Sequence, residues 1–141
     1  MKIKQAVLDA VVAHAQREDP NECCGFIAVR DGVAEKAYRI KNVADQQPRP
    51  APLRSAFYLD PMQQLMVTQV IEDSGAQVGV LYHSHPRSAG EPSQTDLNWA
   101  KQMPGVEWLI VGLRGGDVDA RSWRIEDAKA SEVPIEIIES G

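Results

Sequence analysis

Hydrophobic positions along the chain fall into several spacings, and each predicts its own kind of element. Ile3, Val7 and Val11, with Leu8, Val12 and Ala15, recur at three- and four-residue intervals, which predicts an amphipathic helix over residues 4–17. Asp19-Pro20-Asn21 ends it, because the residue before a proline avoids helical geometry. Cys23 to Arg30 is a short apolar run, Asp31-Gly32 a hairpin turn, and Val33 to Val43 the returning strand. Residues 44–56 carry prolines at alternate positions and no apolar periodicity. They read as an extended loop, of a length that is more often functional or disordered than a plain connector.

Phe57-Tyr58-Leu59 reads as a short strand or an entry segment to the next helix. Asp60-Pro61 then opens a second helix, as an N-cap with proline at the first helical position. Met62, Leu65, Met66, Gln69 and Val70 form its apolar stripe, expected to pack into the core, and Ser74-Gly75 closes it. Val78 to Tyr82 is apolar except at Gly79, and Trp108 to Leu113 reads alike, so both are expected to be central strands buried on two faces. Between them Ser93 to Met103 predicts a third helix with Leu97 and Ala100 inward, stopped by Pro104-Gly105. Gly115-Gly116 turns the chain, Val118 to Ile125 returns as a strand near an edge, and Val133 to Ile138 adds a last strand. The sum is α/β: a single domain over residues 1–141, with a mixed β-sheet flanked by helices.

Composition narrows the partners. A net charge of −5 and a pI near 5.2 argue against nucleic acid or an anionic membrane, both of which favour basic surfaces. No apolar run approaches the ~18 residues of a membrane span, and Asp9 and His14 interrupt the first segment, so neither a span nor a secretory leader is expected. The only cysteines, Cys23 and Cys24, are neighbours that cannot staple distant segments, which predicts a reduced, cytoplasmic protein. Alternation along a strand sends them to opposite faces as small buried hydrophobes rather than joint chelators. A homodimer is compatible with the sequence, which does not decide it.

The chemistry concentrates in Val78 to Asp96. His83 and His85, at i and i+2 of a strand, point to one face, where their imidazoles can reach one zinc ion. They sit where strand becomes loop, so one side of the ion can stay open, as a catalytic zinc requires. Asp96 is the third candidate ligand. Ser93 with an acidic residue three later is also a capping box, which explains both residues without any metal. The combined pattern H-x-H, seven residues, then S-x-x-D arises by chance roughly once in several thousand sequences of this composition, which favours the metal. A hydrolytic zinc site needs a general base that is not itself a ligand. Glu22, at the start of the first predicted strand, is one candidate, and Glu91 and Glu107 compete with it.

Glu22 followed by Cys-Cys-Gly-hydrophobic, then H-S-H-P and S-x-x-D, resembles the JAMM (MPN-plus) metalloprotease family over nearly the whole chain. The resemblance implies a cytidine-deaminase-like α/β/α sandwich holding one zinc ion per chain on His83, His85 and Asp96. It also implies Glu22 as general base and Ser93 as a donor to the tetrahedral oxyanion. The expected substrate is a ubiquitin-like or sulfur-carrier protein, cut after its C-terminal glycine, with release of cysteine or a short extension as in the compact bacterial members. Such a tail must be held extended, most simply against a strand edge. The loop 44–56 and residues 87–91 are candidate walls, with Arg54, Arg87 and Arg49 available to meet substrate carboxylates. His14 is expected to stand apart from the site. The rivals are a metal-free MPN scaffold that only binds partners, and a RadC-like protein, which would be longer and carry a helical DNA-binding segment. A zinc nucleoside deaminase would need H-x-E and P-C-x-x-C, and both are absent.

Overall fold

The N-terminal periodicity is realised as α1 (Gln5–Glu18), whose Val7, Val11, His14 and Ala15 are buried. A three-residue strand precedes it, β1 (Lys2–Lys4), which the sequence reading does not contain. The computed structural model describes residues 1–139. β2 (Cys24–Arg30) and β3 (Val33–Ile40) form the expected hairpin, with Asp31 at φ 50° and Gly32 at φ 78°. Those left-handed values suit a two-residue turn between right-twisted strands. Further on come α2 (Pro61–Asp73), β4 (Gln77–His85), α3 (Gln94–Ala100), β5 (Glu107–Gly112) and β6 (Asp119–Glu126). The last strands are β7 (Lys129–Val133) and β8 (Glu136–Ile138).

The strands make one mixed sheet in the order β7-β6-β5-β4-β2-β3-β1-β8. β4 is central, antiparallel to β2 and parallel to β5. The expected final strand is split at Pro134, which cannot donate to a ladder. Only Val133 of it belongs to β7, an unexpected strand that pairs with β6, and the rest crosses to the opposite edge as β8 beside β1. Of the two readings of Phe57 to Leu59, the entry segment holds: it makes one bridge, Asn42 to Leu59, just ahead of α2. α3 ends at Ala100, short of the expected Met103, and continues as a turn.

Both faces of the sheet carry a core. On the α1 side lie Ile3, Val7, Val11, Ile27, Val80 and Leu109; on the side of α2 and α3 lie Phe26, Leu59, Ile71, Leu81 and Trp108. Full burial of side chains of this size stabilises by about 1.5–3 kcal/mol each. Cys23 joins the first core and Cys24 the second, so the two thiols do face apart. Among the described residues no helix is long and apolar enough to cross a membrane.

One expectation is overturned. The α2 stripe does not enter the core: Met62, Leu65, Met66 and Val70 are 64%, 64%, 60% and 52% exposed. The helix turns its other apolar face inward, with Ile71 fully buried and Val67 half-buried on the sheet. Both faces have helical spacing, so periodicity alone could not choose between them.

Gly25 sits in β2 where a Cβ would overlap the Tyr38 carbonyl oxygen and the Tyr82 ring. Gly25→Ala is therefore expected to destabilise the protein by about 2–3 kcal/mol. Urea unfolding checks this, and an unchanged midpoint would contradict the close packing.

Candidate metal centre

β2 and β4 run antiparallel with Cys24 opposite His83. That register carries Glu22, two residues before Cys24, to the level of His85, two residues past His83. The pairing continues past the ladder: Cys23 N–H donates to Ser84 Oγ at 2.9 Å, and Ser84 N–H to the Cys23 carbonyl at 3.3 Å. The serine between the histidines thus fastens the strand carrying Glu22.

His83 and His85 share a face, as their spacing predicts, with their Nε2 atoms 3.0 Å apart. Asp96 Oδ2 lies 3.1 Å from His83 Nε2 and 3.2 Å from His85 Nε2. A Glu22 oxygen and the two imidazoles fall within 4.8 Å of one another. All four residues are buried. The capping box is present as well: Ser93 Oγ accepts from Asp96 N–H at 3.1 Å, and Ser93 N–H donates to Asp96 Oδ2 at 2.9 Å. The cap and the candidate ligand are therefore the same carboxylate, aimed by the first turn of α3.

These residues fit a zinc ion. His85 Nδ1 is 3.2 Å from the Ala89 carbonyl, a pure acceptor, so Nδ1 carries the hydrogen and Nε2 presents a lone pair. Asp96 Oδ2 presents another. With both imidazoles neutral, a hydrogen on His83 Nε2 can point at only one of them, which leaves the other lone pair for a cation. Donors bound tetrahedrally at ~2.0–2.1 Å lie about 3.3 Å apart, close to the spacings found here. Two imidazole nitrogens and a carboxylate oxygen are also a donor set that zinc accepts.

The proton affinities of the cluster diverge. Burial pushes the Glu22 carboxyl up to about 7, against the pull of His85 and with help from Asp96. Burial also works against charge on Asp96, but His83, His85 and the Ser93 N–H outweigh it and hold that carboxyl well below the usual range. Burial lowers His83 despite Asp96. For His85, burial is outweighed by the hydrogen bond and charge of Asp96 and the charge of Glu22, and the net shift is upward.

A cleft of about 270 Å³ opens onto the cluster, lined by Glu22, His85, Ser93 and Asp96 together with two loop walls. Arg54 to Phe57 form one wall and Pro86 to Ser88 the other, so Arg54 and Arg87 both border it, while Arg49 is not among its lining residues. The expected strand edge is missing: the sheet ends in β7 and β8, and neither contributes to the cleft. The rival bases stand elsewhere. Glu91 is exposed and pairs with Arg121 at 2.9 Å, and Glu107 lies at the far end of β5, opposite Val80. His14 bonds Tyr82 Oη at 2.7 Å in the α1-side layer, apart from the cluster.

Sequence reasoning missed Ser84, Phe57 and Asn42. Phe57 stacks on His83 with centroids 4.5 Å apart, and Trp108 meets the same ring edge-on at 5.6 Å. His83 Nδ1 has no hydrogen-bond partner among the described residues, so on that side of the ring packing alone holds the imidazole. Asn42 holds the main chain of Glu22 by donating to its carbonyl at 3.0 Å. A lone aromatic after a proline-rich loop, or an asparagine after a strand, gives no signal by spacing.

A family model described as prokaryotic homologs of the JAB domain matches residues 4–126. The CysO-cysteine peptidase of Mycobacterium tuberculosis is 33% identical over 97% of this chain and 90% of its own length. The desampylase of Haloferax volcanii is 31% identical over 91% of each chain. Among solved structures, a protein of Desulfitobacterium hafniense superposes with a TM-score of 0.80 at 24% identity, covering 99% of this chain and 93% of its own. That last likeness concerns the fold.

The Glu22 shift has a consequence for stability. In the metal-free protein the folded state keeps this proton to about pH 7, while a carboxyl free of the fold releases it near 4.5, so stability falls as pH rises through that window. Glu22→Gln, which cannot ionise, is expected to remove the fall and to exceed the wild type by about 2–3 kcal/mol at alkaline pH. Urea unfolding in chelator on both sides of the window tests it, and parallel pH profiles for the two proteins would refute it.

Proposed function

The chain belongs to the prokaryotic homologs of the JAB domain, and on that premise we propose that it is a zinc-dependent peptidase that hydrolyses the bond after the C-terminal glycine of a ubiquitin-like sulfur-carrier protein. The observation that carries the reading is the meeting of Glu22, His83 and His85 around one point, with Asp96 Oδ2 in reach of both imidazoles. In this reading His83, His85 and Asp96 hold one zinc ion per chain.

Zinc bound there would polarise the scissile carbonyl and lower the pKa of a water toward ~7. Glu22, buried beside the imidazoles, accepts the proton of the attacking water and hands it to the leaving amine. Ser93 Oγ accepts from Asp96 N–H, which leaves its own hydrogen free to donate to the developing oxyanion.

Arg54 and Arg87, exposed at the cleft, meet carboxylates of the carrier or of the released residue. A glycine tail without side chains suits a cleft of this size, and the peptidase and desampylase activities of the mycobacterial and haloarchaeal relatives support a carrier or its conjugate as substrate. The released group is then cysteine or a short C-terminal extension. The acidic net charge is consistent with a protein substrate rather than nucleic acid or membrane. Two free, buried thiols agree with a cytoplasmic location.

Metal analysis and turnover test this together, with a ubiquitin-like sulfur carrier extended by one cysteine as the probe. The wild type is expected to hold one zinc per chain and His83→Ala to lose it. Glu22→Ala should keep zinc while turnover falls by about 10²–10⁴. Ser93→Ala should lose about 1 kcal/mol of stability as a cap and about 10² in kcat as an oxyanion donor. Wild type that cannot be loaded with zinc would overturn the reading.

We further propose a homodimer through the exposed face of α2. Met62, Leu65, Met66 and Val70 stand out of the core there, and no charged residue lies between Pro61 and Ile71. Copies carrying a net charge of −5 can therefore meet on this face without local repulsion. Sedimentation should show a dimer that Met66→Lys converts to monomer, and a wild type monomeric at every concentration would refute it.

A further inference from the structure

The Asn42 side chain uses the full capacity of a carboxamide. Nδ2 donates to the Glu22 carbonyl at 3.0 Å and to the Ala56 carbonyl at 2.9 Å, while Oδ1 accepts from Ala44 N–H at 3.1 Å and Tyr58 N–H at 3.0 Å. Only this orientation works, because a flipped amide would set oxygen against two carbonyls and NH₂ against two N–H groups. No other side chain of this length offers two donors and two acceptors. Aspartate lacks the donors, and serine has one.

The partners give the network its meaning. Ala44 and Tyr58 are the two ends of the proline-rich loop, and Val43 N–H donates across the same neck to the Tyr58 carbonyl at 2.8 Å. Ala56 is in the cleft wall. Glu22 N–H donates to the Leu53 carbonyl at 2.7 Å, beside Arg54 in that wall. Both main-chain polar groups of Glu22 are thus committed, one to Leu53 and one to Asn42. The proline-rich loop, expected from the sequence as a wall of the groove, is fastened to the backbone of the buried carboxylate.

We propose that Asn42 is a positioning residue that joins the wall formed by residues 53–57 to the main chain of Glu22, so that wall and carboxylate keep one relative placement. The proposal rests on the reading of Glu22 as general base. Glu22 follows the α1–β2 turn and lies two residues before the strand proper, so sheet pairing does not hold its main chain. Two hydrogen bonds supply that hold, one to Leu53 at the start of the wall and one from Asn42. A substrate tail that settles against Arg54–Phe57 then finds the carboxylate already placed, which is what proximity catalysis requires.

The test is Asn42→Asp, which keeps the two accepted bonds at the loop neck and loses the two donated ones. Val11→Ala, in the opposite core, serves as a control of general destabilisation. Amide exchange by NMR is expected to show the Glu22 N–H of Asn42→Asp exchanging at least tenfold faster than in Val11→Ala, with zinc content unchanged. On the cysteine-extended carrier, kcat per zinc-bound chain should fall about tenfold or more and KM should rise, while Val11→Ala keeps both. Unchanged Glu22 exchange, unchanged kcat in loaded Asn42→Asp, or a loss matched by Val11→Ala would each overturn the proposal. Absence of turnover in the wild type would instead sink the peptidase reading, and the exchange comparison would still judge the coupling.

Discussion

The register between β2 and β4 is the constraint on which the site depends. Pairing Cys24 with His83 places Glu22 beside His85, and a shift of one residue would turn its side chain to the other face of the sheet. That register is well enforced. β2 alternates between two cores, with Ile27 on one face and Phe26 on the other, so slippage would exchange their partners on both sides. Gly25 adds a steric lock, since only a residue without Cβ lets the Tyr82 ring lie across the strand. The hydrophobic effect thus sets the polar geometry: the cores choose the register, and the register brings a carboxylate to two imidazoles.

Asp96 shows how one group serves folding and chemistry together. Its carboxylate closes the capping box with Ser93 and lies in reach of His83 and His85. The capping and metal readings of S-x-x-D are not alternatives here, because the N-terminal turn of α3 already aims an acidic side chain back toward the strand end. The cap limits the rotamers of Asp96, so little side-chain entropy remains to be lost when a cation binds. Phe57 and Trp108 act similarly on His83, restricting the ring by packing. The donor set is therefore largely arranged by interactions that the fold needs anyway.

The legible and illegible parts of the molecule divide along physical lines. α1, the β2–β3 hairpin and the central strands follow from period and turn chemistry, both of which act over a few residues. The α2 stripe lies outside the core because the helix is apolar on two faces, and only contact with Leu81 and its neighbours distinguishes the buried one. No sheet edge borders the cleft, whose walls are two loops, a consequence of β4 lying in the middle of the sheet. Ser84 and Asn42 escaped notice because each acts through main-chain partners distant in sequence, Cys23 for one and Glu22, Ala44, Ala56 and Tyr58 for the other.

By itself, the order of residues determined which side chains could meet a metal: H-x-H on a strand, and an acid in the first turn of a helix, are local geometries. It could not determine which glutamate joins them, since Glu22, Glu91 and Glu107 differ by composition in nothing. The resemblance to a known family named Glu22, and tertiary structure supplies the reason. Pairing of β2 with β4 carries Glu22 to the cluster and buries it, while Glu91 is taken up by Arg121 and Glu107 lies at the opposite strand end. Burial raises the proton affinity of a carboxyl, and burial belongs to the packed sheet rather than to any stretch of sequence.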